Sequence, residues 1–221
     1  VTSCMGHDSI DEPVLYFLGK GQKQKMEVSM IKKIVDDVMP QMISDRRHLH
    51  KHPELSFEEY QTTEFLCREL EAAGIEDIRR PVKTGVVAVI HGVYPGKTVA
   101  IRADIEALTI QEKNELEFCS VNDGVMHACG HDGHAAMLLA AARIFEQHKD
   151  ELHGSIVCIF QHAEEVPPGG AQELYEAGVM EGVDELYGLH LSSNFPTGTY
   201  GVRAGALTSA TDRFDIRVIG K

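Results

Sequence analysis

Residues 131–165 read HDGHAAMLLAAARIFEQHKDELHGSIVCIFQHAEE. Ala135, Met137, Leu138, Ala141, Ala142 and Phe145 share one helical face, which predicts a small-residue helix following His131. Ile156 to Gln161 is a short apolar run with the length and β-branched character of a buried strand. The same alternation continues outward. Val86 to Ile90 and Thr98 to Ala103 read as buried strands, Gly169-Gly170 open a helix that runs to Gly178, and Glu185 to Leu189 is a further strand. Upstream, Ile31, Ile34, Val35 and Val38 follow helical spacing, and Met42, Ile43, Arg46 and Leu49 continue it beyond Pro40. Pro40 must kink this stretch or start a second helix at its first turn. Ser56-Phe-Glu-Glu59 has the form of a capping box, opening a helix that ends at Gly74. Strands alternating with helices predict an α/β fold with a largely parallel sheet flanked by helices.

Composition narrows the function. The 221 residues are 43% hydrophobic and 25% charged, an ordinary globular mixture. Lys and Arg (21) against Asp and Glu (34) give −13, which disfavours a nucleic-acid partner because a phosphate backbone needs a basic face. The richest apolar run, Ala135 to Phe145, is short and contains Arg143, so no membrane span is read. The first residues lack a basic region followed by an apolar core, so no secretory signal is read either. Five cysteines at irregular spacing suit reduced thiols and a cytoplasmic location. Residues 1–29 read as a leader, either non-native or flexible. Val1 to Lys25 has no sustained periodicity, and codons for Lys20-Gly21 can spell a ribosome-binding sequence four codons ahead of Met26. On that reading the native start is Met26 or Met30; a natural flexible arm is the alternative.

Ligands of an open α/β sheet bind beyond the carboxyl ends of its strands. Here those ends run into Ala103-Asp104, into His162-Ala-Glu164-Glu165 and into His190. Between the first two lies His127-Ala-Cys129-Gly-His131-Asp132-Gly-His134, at the mouth of a helix. Metal ligands are delivered in this way. A lone Cys-x-His is weak evidence, since free cysteine is commonly a small buried hydrophobe. Three histidines with Cys and Asp inside eight residues are stronger, because a solvated loop has no need of them. A Cys-His nucleophile is the other reactive reading. It leaves Glu164-Glu165 as buried carboxylates without cations, an expensive arrangement. Adjacent residues leaving a strand point in different directions, so one carboxylate can bind metal while its neighbour takes a proton from a water that the metal has acidified. The bland reading of Glu164-Glu165 is an exposed acidic pair; the apolar strand before it and the Pro167-Pro168-Gly169-Gly170 turn after it argue against that.

Five ordered segments carry a family likeness: Arg46-Arg-His-Leu-His-Lys-His-Pro-Glu-Leu55, Ile101-Arg-Ala-Asp-Ile-Glu-Ala-Leu108, Met126-His-Ala-Cys-Gly-His-Asp-Gly-His134, Phe160-Gln-His-Ala-Glu-Glu165 and Gly188-Leu-His190. From about Ser44 to Lys221 the chain strongly resembles metal-dependent amidohydrolases of the hippurate hydrolase and indoleacetyl-amino-acid hydrolase type, within the aminoacylase and carboxypeptidase group. The resemblance implies a zinc-peptidase-like catalytic domain with two divalent metals and an inserted α/β lid through which the full-length form dimerises. It implies hydrolysis of N-acyl amino acids, a small-molecule substrate, with no nucleic-acid or membrane partner. Position by position, it makes Cys129, His131, Glu165 and His190 metal ligands, with Cys129 bridging, and Glu164 the general base. The metals suit Zn, Mn, Co or Ni. Arg102 stands where the wider group has a ligating histidine, so Asp104 is read as support behind the ligands, with Asp132 and His134 in the same role. His162 is expected in a pocket wall, and His48, His50 and His52 in structural packing around Pro53. Residues 30–210 correspond to the N-terminal part of the catalytic domain and 211–221 to the first strand of the lid, where the sequence stops. A truncated, inactive remnant that at most binds metal or a partner chain is therefore the alternative.

Overall fold

A computed structural model describes residues 15–19, 22–26, 28–207, 214 and 216–220. The chain divides into a unit of residues 1–191 and another of residues 192–221, and all named elements lie in the first. β1 (Leu15–Gly19) and β2 (Gln22–Met26) form an antiparallel hairpin. Then come α1 (Val28–Lys51), α2 (Tyr60–Ala72), β3 (Asp77–Arg79), β4 (Val86–His91), β5 (Tyr94–Asp104), α3 (His131–Gln147), β6 (His153–Gln161), α4 (Gly170–Glu176) and β7 (Glu185–Gly188).

β3 to β7 form a sheet of order β3-β4-β6-β5-β7. β5 runs parallel to both β6 and β7, while β4 is antiparallel to β3 and β6. Four of the five strands thus point one way, with β4 reversed, and the expected largely parallel α/β sheet is present. β4 explains why these strands read as unbroken apolar runs: side chains alternate across a strand, and here both faces are covered. Val86, Ala88 and Ile90 pack with Leu66 and Leu70 of α2 and Leu138 and Leu139 of α3. Val87 and Val89 pack on the other face with Leu174 of α4. Leu66, Leu70 and Leu139 are wholly buried, and truncating any of them to Ala would cost about 2–5 kcal/mol.

α1 passes through Pro40 as one element, so no second helix starts there. One local expectation fails. Ser56 does not cap α2. Its first turn is held by the Glu54 carboxylate, which accepts from the Gln61 and Thr62 amides at 3.0 and 2.7 Å. The end at Gly74 is as expected: its φ is +88°, and the Ile75 amide returns to the Leu70 carbonyl at 3.2 Å. Of the 211–221 stretch expected to open a lid, Phe214 and residues 216–220 carry no strand, and the remainder lies outside the described residues.

Candidate metal centre

The parallel strands β5, β6 and β7 end together, and each end delivers donors to the same edge of the sheet. β5 closes on Asp104, β6 runs through Gln161 into Glu164 and Glu165, and β7 leads into His190. His131 comes from the first turn of α3. Gly130 lies between Cys129 and His131 with φ +89°, a left-handed conformation that lets the chain turn sharply into the helix. A side chain at Gly133 would place its Cβ 2.5 Å from Leu191 Cδ1, so this glycine admits the segment carrying His190.

Three donor groups converge, and His131 is common to all. Single atoms of Cys129, His131 and His190, of Asp104, His131 and His134, and of His131, Glu164 and Glu165 each fall within 4.8 Å of one another. His131 is 1% exposed; its Nδ1–H donates to the Glu106 carbonyl at 2.9 Å. Nε2 is left facing the other donors, and it is buried without a hydrogen-bond partner among the described residues. It lies 3.7 Å from Asp104 Oδ2 and 3.8 Å from Glu165 Oε1. His190 is set in the same way. Its Nδ1–H donates to the Leu191 carbonyl at 2.6 Å, leaving Nε2 3.5 Å from Cys129 Sγ. Two imidazoles with Nδ1 tied to backbone carbonyls and Nε2 turned inward are prepared as metal ligands.

The electrostatics call for a cation. Burial and then the Glu165, Asp104 and Glu164 carboxylates push the Cys129 thiol up to about 12. Burial, reinforced by Glu165 and Asp104, also holds the Glu164 carboxyl above the usual range. Negative donors crowded this closely repel one another until a positive ion sits among them. Thiolate, imidazole and carboxylate together suit a borderline divalent ion such as zinc.

Other groups hold the donors in place. Asp104 accepts from His134 Nδ1 at 2.5 Å and from Arg102 Nη1 at 2.8 Å. Burial opposes ionisation of Asp104, but the His134 bond and the Arg102 and His131 charges outweigh it and hold the carboxyl at about 2. His134 Nε2 accepts from the Leu191 amide at 2.8 Å, so both ring nitrogens are engaged. Asp132 serves a separate cluster, accepting from Arg46 Nε at 3.1 Å and from His50 Nδ1 at 2.9 Å. His162 does not line an open pocket: it is 1% exposed and its Nε2 bonds Glu173 at 3.1 Å. His48 stacks on Phe65, and His52 packs against His48. Sequence reasoning passed over Glu106. Buried in the strand-end segment, it accepts from the Glu165 amide at 2.8 Å while its own carbonyl fixes His131. A lone acid flanked by the apolar Ile105 and Ala107 was the available signal.

Comparison with known proteins agrees with this geometry. The chain is 54% identical over 191 residues to an N-acyl-L-amino acid amidohydrolase of Geobacillus stearothermophilus, covering 86% of this chain and 52% of that protein. It is 40% identical over 186 residues to IAA-amino acid hydrolase ILR1-like 4 of Arabidopsis thaliana, covering 84% and 42%. The crystal structure of Bacillus subtilis YXEP protein, described as a dinuclear metal binding peptidase of the M20 family, superposes with a TM-score of 0.73 at 46% identity, covering 77% of this chain and 48% of that one. The chain thus spans about half the length of the relatives it matches. The model of Peptidase family M20/M25/M40 matches residues 100–218, more than half of the sequence and all of the donor residues, and the chain belongs to that family.

Proposed function

We propose that this chain carries the metal centre of an amidohydrolase that cleaves the amide bond of N-acyl amino acids. Cys129, His131, Glu165 and His190 would hold two divalent ions (Zn, Mn, Co or Ni), with Cys129 shared between them. The observation that carries this reading is the pair of inward Nε2 atoms of His131 and His190 beside Cys129 and Glu165, at the carboxyl ends of parallel strands. The names of the Geobacillus and Arabidopsis relatives support the substrate class.

A bound divalent ion supplies Lewis acidity, polarising the amide carbonyl and lowering the pKa of water to about 7. The remaining chemistry belongs to the chain. Glu164, next to Glu165 and solvent-accessible, takes the proton from the attacking water and returns it to the leaving amine nitrogen as the C–N bond breaks. Asp104 and His134, tied to each other and to the Leu191 amide, keep the segment after β7 against the first turn of α3. The products are the free carboxylic acid and the amino acid. In the whole protein we assign the second copy to a homodimer formed through the lid, and the site of action to the cytoplasm; among the described residues no helix is long and apolar enough to cross a membrane.

The alternative reading is a catalytically inactive chain that at most binds metal or a partner chain. One experiment separates them. The purified 1–221 chain is loaded with Zn or Mn, its metal content measured by elemental analysis, and its turnover assayed on N-acetyl and N-benzoyl amino acids. Bound metal that falls in both Cys129→Ala and His131→Ala supports the centre, and turnover distinguishes enzyme from remnant. Unchanged metal content in both variants would refute the assignment.

A further inference from the structure

The turn that carries Glu164 and Glu165 is anchored in an unusual way. β6 ends at Gln161, and Ala163 then adopts φ +47°, a conformation that an L residue holds only when its surroundings enforce it. Its amide donates to Glu59 Oε1 at 2.9 Å, and its carbonyl accepts from the Gly170 amide at 2.9 Å. Two residues on, the Glu165 amide donates to Glu106 Oε1 at 2.8 Å. Glu59 and Glu106 are 0% and 1% exposed. Burying carboxylates is unfavourable, and each could have been replaced by a neutral acceptor. Glu59 sits at the N-terminal boundary of α2 yet makes no side-chain cap, and its second oxygen accepts from the buried Thr84 hydroxyl at 2.8 Å. Glu106 follows β5, and its Oε2 lies 3.6 Å from His131 Nδ1. What the two share is the turn. Their acceptor oxygens grip the backbone on either side of Glu164, and bonds to ionised acceptors are roughly twice as strong as neutral ones.

We propose that Glu59 and Glu106 are positioning residues, a pair of buried carboxylates that clamp the Ala163 and Glu165 amides and so fix the direction in which Glu164 and Glu165 leave the sheet. The clamp rests on the reading above, in which those two carboxylates belong to the metal centre. Glu106 holds two points of the site at once, since its carbonyl also accepts from His131 Nδ1 and so orients that ring. Moving either clamp displaces a donor without removing one. Supporting residues of this kind are typically worth about 10–100-fold in metal affinity.

The test uses the 1–221 chain with Co(II) as probe, read by thiolate-to-cobalt absorption, together with residue-resolved amide hydrogen exchange in metal-free protein. Glu59→Asp and Glu106→Asp withdraw the carboxylate by one methylene, whereas Glu59→Gln and Glu106→Gln keep an acceptor at the original reach. Asp45→Asn, in a buried pair with Arg143 remote from the turn, controls for general destabilisation. In the parent chain the Ala163 and Glu165 amides should be protected. Glu59→Asp should speed exchange at Ala163, and Glu106→Asp at Glu165, about tenfold or more. Both should weaken Co(II) binding about 10–100-fold and alter the absorption band, with the Gln variants recovering most of the loss. Protected amides that respond to the substitutions in a chain that takes up no Co(II) would uphold the clamp while removing the metal reading. The clamp is overturned if the parent amides exchange freely, a measurement that needs no variant to fold. It is equally overturned if folded Asp variants bind Co(II) and exchange like the parent, or if Asp45→Asn produces the same changes.

Discussion

Two buried polar clusters meet at the first turn of α3, one served by His131 and the other by its neighbour Asp132. In the Asp132 cluster, opposite charges face each other: Asp132 accepts from Arg46 and His50, and the far side of the His50 ring bonds Glu112 at 3.1 Å. The His131 cluster instead gathers Cys129, Asp104, Glu164 and Glu165 around His131, whose Nε2 is buried without a hydrogen-bond partner among the described residues. The first pairs its charges within the chain and gains stability from doing so. The second is a set of acceptors in excess, and its order is imposed by hydrogen bonds from behind. Adjacent residues on one helix can thus belong to a structural site and a chemical one, and charge balance distinguishes them better than burial does.

The largest effect should fall on chemistry. Glu164→Gln in the active enzyme should keep its metal, by elemental analysis, while losing about two to four orders of magnitude in kcat on an N-acetyl amino acid. Near-normal kcat would move the base elsewhere. Next comes stability: Asp132→Ala leaves Arg46 and His50 facing a void and should lower unfolding free energy by about 3–5 kcal/mol in denaturant titrations. The matching change in the other cluster should have the opposite sign. In metal-free protein, Glu165→Gln relieves repulsion and should raise stability by about 0.5–2 kcal/mol, a gain made at the expense of metal affinity. If both substitutions destabilise equally, the contrast between the clusters is wrong.

The smallest prediction concerns pH. The bond to Asp132, helped by Glu112 and opposed by burial, raises the His50 pKa above 6.5, so its contribution is full below that value and fades as pH rises through the folded-state pKa. Burial works against ionisation of Glu112, but bonds from the Ser120 amide, Asn114 and His50 bring its carboxyl down to about 2; its contribution is present above 4.5 and is lost as pH falls towards 2. The stability difference between the parent and His50→Ala should therefore be greatest between about pH 4.5 and 6.5 and shrink as pH rises above that window. A difference that grows with pH would show that His50 is held neutral.

The sheet and its reactive edge were legible because they depend on short-range patterns. Ile156 to Phe160 is apolar throughout because β6 is covered on both faces, and the acidic pair after it marks where the strand leaves the core. The misread features depend on distant partners. Ser56-Phe-Glu-Glu59 looks like a local cap, but Glu59 finds its acceptor role 104 residues away at Ala163, and Glu54 takes over the helix end. Glu106 escaped notice for the same reason: only the folded chain brings it to the Glu165 amide. Of the two outcomes expected at Pro40, a kink or a second helix, no second helix starts there, and Pro40 lies exposed within α1.

The four donor positions are not equally anchored. His131 is rooted in a 17-residue helix, whereas His190 follows β7, four residues long and paired to β5 alone among the described strands, with Leu186 and Tyr187 more than half exposed. Short edge strands open locally far more often than the fold unravels. On the proposed assignment, an ion held by His190 would be let go as often as β7 frays and re-zips, whereas the grip of His131 would last as long as the first turn of α3.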